Sequence, residues 1–189
     1  MPLKALALNA TLKTGNAREA SSTERMIGLI DKAMSAYDVT TEVLRLADFN
    51  IKPGVTSDEG GGDDWPEIRA KVLAADILLM PTPIWLGQPS SVCKRALERM
   101  DAFPEETDDQ GRMVSFGRVA AVAFVGNDVG FTIPANAVAY WVGEAMGSTN
   151  FVDLDKVPRV VTKAVDMLAR NTSHLAGLPK AKQYSCEGG

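Results

Sequence analysis

Asp76-Ile-Leu-Leu-Met-Pro-Thr-Pro-Ile-Trp-Leu-Gly-Gln-Pro-Ser-Ser91 sets the architecture of this chain. Ile77 to Met80 is a continuous apolar run, the pattern of a strand buried on both faces of a parallel sheet. Pro81-Thr82-Pro83 then fixes φ and removes two ladder donors, which predicts that the strand stops there. Trp85, Gly87 and Pro89-Ser90-Ser91 follow: an aromatic ring, a turn residue and a helix opening. A ligand at the carboxyl end of such a strand meets free backbone amides, one flat apolar face and a helix N-terminus. Those groups suit a planar molecule with a polar edge.

Upstream of this stretch, Lys4 to Asn9 predicts a short buried strand, and a polar loop from Ala10 to Ala20 leaves it. Ser21-Ser22-Thr23-Glu24 has the spacing of a capping box and opens a helix with Met26, Ile27, Ile30, Ala33, Met34 and Tyr37 on one face. Thr40 to Leu46 alternates and predicts an outer strand. Asp58-Glu-Gly-Gly-Gly-Asp-Asp64 lacks the ligand alternation of a calcium loop and predicts a solvated, mobile segment. Asp64 to Glu67 repeats the capping-box spacing before a helix with Ile68, Val72 and Leu73 inward.

Downstream, Val92 to Ala102 predicts a helix with Val92, Ala96, Leu97 and Met100 inward. Arg118 to Val125 is a strand, Pro134 to about Met146 a helix, Thr149 to Val152 a short last strand, and Pro158 to Leu175 the last helix. Five strand–helix units imply an α/β, three-layer fold with a five-stranded parallel sheet and helices on both faces. Right-handed crossovers favour the strand order 2-1-3-4-5, whose switch point lies between the first and third strands. A ligand is therefore expected over the loops after Asn9, Thr82 and Val125. The expectation is one domain over residues 1–178 and a flexible polar tail over 179–189.

The chain has 189 residues, 46% hydrophobic and 23% charged, enough for one sizeable core. A formal charge of −4 gives no electrostatic case for nucleic acid, and no basic amphipathic helix suggests a membrane surface. The N-terminus lacks a signal peptide's apolar core, and no apolar run reaches the roughly 20 residues of a membrane span. A cytoplasmic location follows as an expectation. Cys93 and Cys186 lie far apart without metal-ligand spacing, so reduced thiols and no metal site are expected. His174 is the single histidine and sits in the last predicted helix, which argues against a Ser-His-Asp triad.

Three loops carry the candidate chemistry. In the first, Thr11, Lys13, Ser21, Ser22 and Thr23 bring hydroxyls, a cation and first-turn amides together, a set that holds a phosphate or simply caps the helix. The spacing fits neither a Walker loop nor a Gly-x-Gly-x-x-Gly fingerprint, against an ATPase or a dinucleotide-binding domain. In the second, Pro83, Ile84, Trp85, Leu86 and Gly87 offer backbone N–H groups and an indole face suited to a flavin ring; a lone Trp is otherwise a core or interface aromatic. The third, Gly126, Asn127, Asp128, Val129 and Gly130, supplies flexible backbone and alone is only a turn signal.

Asn9-Ala-Thr-Leu-Lys13, Ser22-Thr-Glu24, Asp64-Trp-Pro-Glu-Ile68, Ala75-Asp-Ile77, Thr82-Pro-Ile-Trp-Leu-Gly-Gln-Pro-Ser90 and Val125-Gly-Asn-Asp128 together resemble the NADPH-dependent FMN reductase family of flavodoxin-like proteins. The resemblance implies bound FMN, its phosphate near Thr11, Lys13 and Ser21 to Thr23 and its ring against Pro83 to Gly87 and Gly126 to Gly130. It further implies an enzyme that takes hydride from NAD(P)H and reduces a quinone, flavin or related small acceptor. The flavin N5 would do the chemistry, without a catalytic side chain. A flavodoxin-type electron carrier and a scaffold without cofactor are the alternatives. A homodimer or homotetramer is implied, with Trp85, Phe131, Tyr140 and Trp141 as a candidate contact patch. Two departures stand out: the first loop is longer than usual through Gly15 to Ala20, and Phe131 stands where relatives often carry His. The loop after the second strand has no cysteines, so no iron-sulfur cluster is expected.

Overall fold

Alternation along the first strand divides the molecule into its layers. A computed structural model describes residues 2–126, 137–138 and 150–182. In β1 (Leu3–Asn9) the odd residues Leu3, Ala5 and Ala7 pack under α1 (Ser22–Ser35) and α4 (Arg159–Ala181). The even residues Leu6 and Leu8 pack under α2 (Trp65–Ala74) and α3 (Ser91–Arg99). Two apolar cores thus sandwich one sheet, as the period of two requires. β2 (Val39–Arg45) and β3 (Ile77–Trp85) flank β1 in parallel, and β5 (Val119–Val125) and β6 (Ala137–Val138) follow beyond β3. The path β2-β1-β3-β5-β6, with the short β4 (Gln88–Pro89) paired antiparallel to β3, is the flavodoxin-like order expected for five parallel strands.

The prolines do not end β3. Its register with β5 continues from Ile77↔Val119 to Pro83↔Val125. The carbonyl of Pro81 accepts from Ala10 N at 2.9 Å, so the backbone polar groups of Pro81, and two residues on of Pro83, point toward β1. β1 ends at Asn9. The last β1–β3 pair is Ala7↔Leu79, so both missing N–H groups fall past the paired part of that ladder. Ala10 O, on the same edge, is met by Ser90 Oγ instead, and the even residues carry the bonds to β5. Beyond Trp85 the chain reverses in a two-residue turn, Leu86 at φ 51° and Gly87 at φ 73°, both in the left-handed region that a tight hairpin needs.

Other expectations are corrected. The fifth strand is Ala137–Val138, inside the segment expected to be helical from Pro134 to Met146, whose remaining residues lie outside those described. Phe151–Asp153 forms a 3₁₀ turn where a last strand was expected; Thr149 lies outside the described residues. Ser21 caps α1 and accepts from Glu24 N, but the Glu24 carboxylate goes to Arg45 rather than back to the cap. Asp64 makes no side-chain cap at all, because its carboxylate accepts from Asn50 N. Tyr37 lies past the end of α1 and is exposed. α4 runs on through Ala181, so residues 179–181 are helix and not tail, and Lys180 pairs with Asp76 at 2.8 Å.

The acidic loop is solvated along Asp58 and Gly60 to Gly62, as expected, but it is anchored at Asp63. Arg99 on α3 turns inward and Leu97 outward, the reverse of what apolar spacing predicts for Leu97. The Arg99 guanidinium meets the Asp63 carboxylate at 2.7 Å with both side chains 0% exposed, and it donates to the carbonyls of Lys52 and Thr56. Burial alone would push the Asp63 carboxyl up. Hydrogen bonds from Arg99 and from the amides of Glu59, Lys52 and Trp65 outweigh it and hold the group well below the usual carboxylate range.

Candidate functional site

The first loop is shaped by its own side chains. Asn9 Oδ1 accepts from Thr11 N at 3.1 Å, and Thr11 Oγ1 accepts from Lys13 N and from Ser21 Oγ, both at 3.3 Å. Arg45 binds the outside of the loop, donating to Lys13 O at 3.2 Å and pairing with Glu24 at 2.7 Å. Asp48 accepts from Gly15 N at 2.7 Å. At the start of α1, Ser21 satisfies Glu24 N and leaves the Ser22 and Thr23 N–H groups, which no helical carbonyl can reach. With no partner among the described residues, these two amides and the hydroxyls of Ser21, Ser22 and Thr23 form a cradle for an anion.

A wall of this site comes from far along the chain. Arg25 donates to the carbonyls of Phe151, Val152 and Leu154 at 2.8–2.9 Å, and its guanidinium lies 5.4 Å from the Phe151 ring centre. Val152 N donates to Ser22 Oγ at 3.1 Å. These bonds hold the Phe151–Asp153 turn against the first turn of α1.

The helix that opens after β3 plays a different part from the one expected. Ser90 Oγ donates to Ala10 O at 2.6 Å and accepts from Cys93 N, while Ser90 N donates to Thr82 Oγ1 at 3.1 Å. This buried knot ties the first two loops together, and the α3 N-terminus does not line the cleft. Burial pushes the Cys93 thiol up, against a smaller pull from a Thr82 hydrogen bond, so it is a neutral core side chain at ordinary pH. His174 is exposed on α4, away from the cleft.

Thr11, Lys13, Ser21, Ser22, Thr23, Pro83, Ile84, Trp85, Leu86 and Gly126 all line one cleft of about 700 Å³, within the range of cofactor sites. Gly87 turns the hairpin but is not part of the lining. Asn127, Asp128 and Gly130 lie outside the described residues, as do Phe131, Tyr140 and Trp141. Gly126 is where the third loop closes on the second: a Cβ there would stand 2.8 Å from Ile84 Cβ. Sequence reasoning missed Leu12, Glu19, Ala20, Val125 and Asn150 to Asp153. No local signal marks the last four, which reach the cleft only because Arg25 draws that turn onto α1.

The cleft is therefore polar along the hydroxyls of the first loop and apolar along Leu12, Ile84, Trp85, Leu86 and Phe151. Residues 4–151 match the model of the NADPH-dependent FMN reductase family. The chain belongs to that family. Membership brings the flavodoxin-like fold described above, and the family's description names an NADPH-dependent FMN reductase; nothing in the comparisons supports an electron carrier. It is 30% identical to 8-demethyl-8-aminoriboflavin-5'-phosphate synthase of Streptomyces davaonensis, over 99% of this chain and 82% of that protein. A solved structure of RosB with bound 8-demethyl-8-formylriboflavin-5'-phosphate superposes with a TM-score of 0.79 at 27% identity, covering 96% of this chain and 82% of that one. A protein of Mycobacterium bovis described as the divalent metal cation transporter MntH is 35% identical over 80% of this chain. The chain spans about a quarter of that relative's length (25%). Among the described residues no helix is long and apolar enough to cross a membrane.

Proposed function

We propose that the cleft holds FMN with its phosphate on Thr11, Lys13 and Ser21 to Thr23 and its ring against Pro83 to Leu86 and Gly126. Gly87, Asn127, Asp128 and Gly130 complete the assignment. The observation that carries this reading is that two loops separated by sixty residues of chain order, one rich in hydroxyls and one in apolar atoms, line the same cleft. The uncapped amides of Ser22 and Thr23 fit a phosphate, and the close Gly126–Ile84 approach leaves a smooth wall against which a ring can lie. When bound, FMN supplies the hydride and electron chemistry. The chain's own residues bind the phosphate, orient the ring and exclude water from its buried side. No side-chain acid or base is assigned.

The reaction proposed is oxidation of NAD(P)H with transfer of electrons to a quinone, free flavin or related small acceptor. Its reductant is a cytoplasmic metabolite, which favours a cytoplasmic location. Trp85, 59% exposed, and Leu86, 89% exposed, form an apolar lip on the cleft that a second copy would cover, so the working form is a homodimer or a dimer of dimers. Purified protein mixed with FMN, NADPH and benzoquinone is expected to consume NADPH well above the free-FMN background. NADPH oxidation no faster than that background would remove the acceptor assignment.

A second reading has one specific support, the full-length likeness to a synthase of an 8-amino flavin phosphate. In it FMN is the substrate that is altered, not a lasting cofactor. Mass spectrometry of FMN after incubation with the protein separates the two: unchanged FMN supports the reductase, and a flavin of altered mass supports the second reading.

A further inference from the structure

The charges around the cleft are unexpected for a phosphate site. Among the described residues lining it, Lys13 is the one cation, while Glu19 and Asp153 are carboxylates. Asp153 is engaged locally, its Oδ2 accepting from Asn150 N and Nδ2. Glu19 is engaged with the cation itself: Lys13 Nζ lies 3.1 Å from Glu19 Oε2 and donates to Ala20 O at 2.8 Å. The ammonium that would meet a flavin phosphate already has a counter-ion. That counter-ion is 82% exposed, on the stretch of the first loop that is longer than usual.

We propose that Glu19 competes with the flavin phosphate for Lys13 and thereby sets how tightly, and how exchangeably, the phosphorylated flavin is held. This rests on the phosphate placement proposed above. A phosphate monoester brings between one and two negative charges at neutral pH. It either displaces the carboxylate from Lys13 or binds beside it against repulsion. Displacement is easy, because an exposed ion pair is weak and the Glu19 side chain, 82% exposed, can swing into water. The pair therefore does not block the site. It lowers affinity for ligands that carry the phosphate and leaves ligands without one untouched. A flavin that must come and go, as substrate or as delivered product, benefits from such a counter-ion.

The test is a fluorescence titration of the full chain with FMN and with riboflavin, for wild type, Glu19→Gln, Lys13→Met and the double variant, at low and high salt. Glu19→Gln is expected to bind FMN about fivefold more tightly at low salt, to bind riboflavin unchanged, and to lose the advantage at high salt. Lys13→Met is expected to weaken FMN, and in that background Glu19→Gln should bring no gain. Unchanged FMN affinity in Glu19→Gln, or an equal gain for riboflavin, overturns the proposal. A gain that survives in Lys13→Met also overturns it, since Glu19 would then only repel. Lys13→Met that weakens FMN while Glu19→Gln does nothing leaves the phosphate placement intact. Lys13→Met that binds FMN like wild type removes the placement itself.

Discussion

Ser22 and Thr23 let the proposed phosphate placement be tested apart from the proposed ring placement. A hydrogen bond to a charged group contributes about 1.5–3 kcal/mol. Replacing both residues with Ala should therefore weaken FMN by at least about tenfold and spare riboflavin. Ser22 also accepts from Val152 N, so the double variant loosens the Phe151–Asp153 turn. The riboflavin arm reads that effect out on its own. Trp85→Ala should weaken both flavins about equally, since the exposed indole can act only on the ring. Flavin fluorescence titrations check both. FMN binding by the Ser22/Thr23 variant as tight as wild type would reduce Ser21 to Thr23 to a helix cap and move the site elsewhere.

At the scale of elements, the connection from Asn50 to Asp64 is held to α3 by the Arg99–Asp63 pair. Removing one partner of a buried ion pair costs about 3–5 kcal/mol, because the other charge stays buried and alone. Asp63→Asn should cost that much in denaturant unfolding, and a paired replacement by apolar residues should recover much of it. The pH dependence has a definite sign. The folded-state pKa of Asp63 is depressed, so its contribution is complete above the unfolded value of about 3.9 and is lost as pH falls toward the folded one. Wild type should therefore lose stability below about pH 4, and Asp63→Asn should lose less over the same window. Equal acid sensitivity of the two proteins would show that the pair is not what orders this loop.

For the whole molecule, the hairpin tip is the decisive surface. Trp85 and Leu86 project from a turn whose left-handed Leu86 holds them out over the cleft. Strain of that kind persists where the surroundings over-determine it, and a second copy would supply such surroundings. Light scattering at micromolar concentration should show a dimer or tetramer. Leu86→Asp should shift it toward a folded monomer that binds flavin less tightly. A wild-type monomer under those conditions would count against the covered cleft.

Periodicity, read along the chain, was enough for the layers, the order of the strands through Val119–Val125 and two of the loops that line the cleft. Apolar residues at spacings of two and of three to four report which face is buried, and that is a local property. Ile77 to Met80 and Met26 to Met34 are legible for that reason, and the hydroxyls at Ser21 to Thr23 for another local one, the spacing of a helix cap. The rest depended on partners distant in sequence. Pro81 and Pro83 remain in a strand because their missing donors lie on the β1 side, past the last β1–β3 pair at Ala7↔Leu79, while the pairing with β5 runs on, which only the register shows. An acidic, glycine-rich loop is tied down at one buried carboxylate because an arginine 36 positions after Asp63 (99 − 63) turns inward to meet it. The Phe151 turn forms part of the cleft because Arg25 gathers three of its carbonyls. A side chain's charge and spacing state what it can bind; tertiary structure alone decides what stands close enough to be bound.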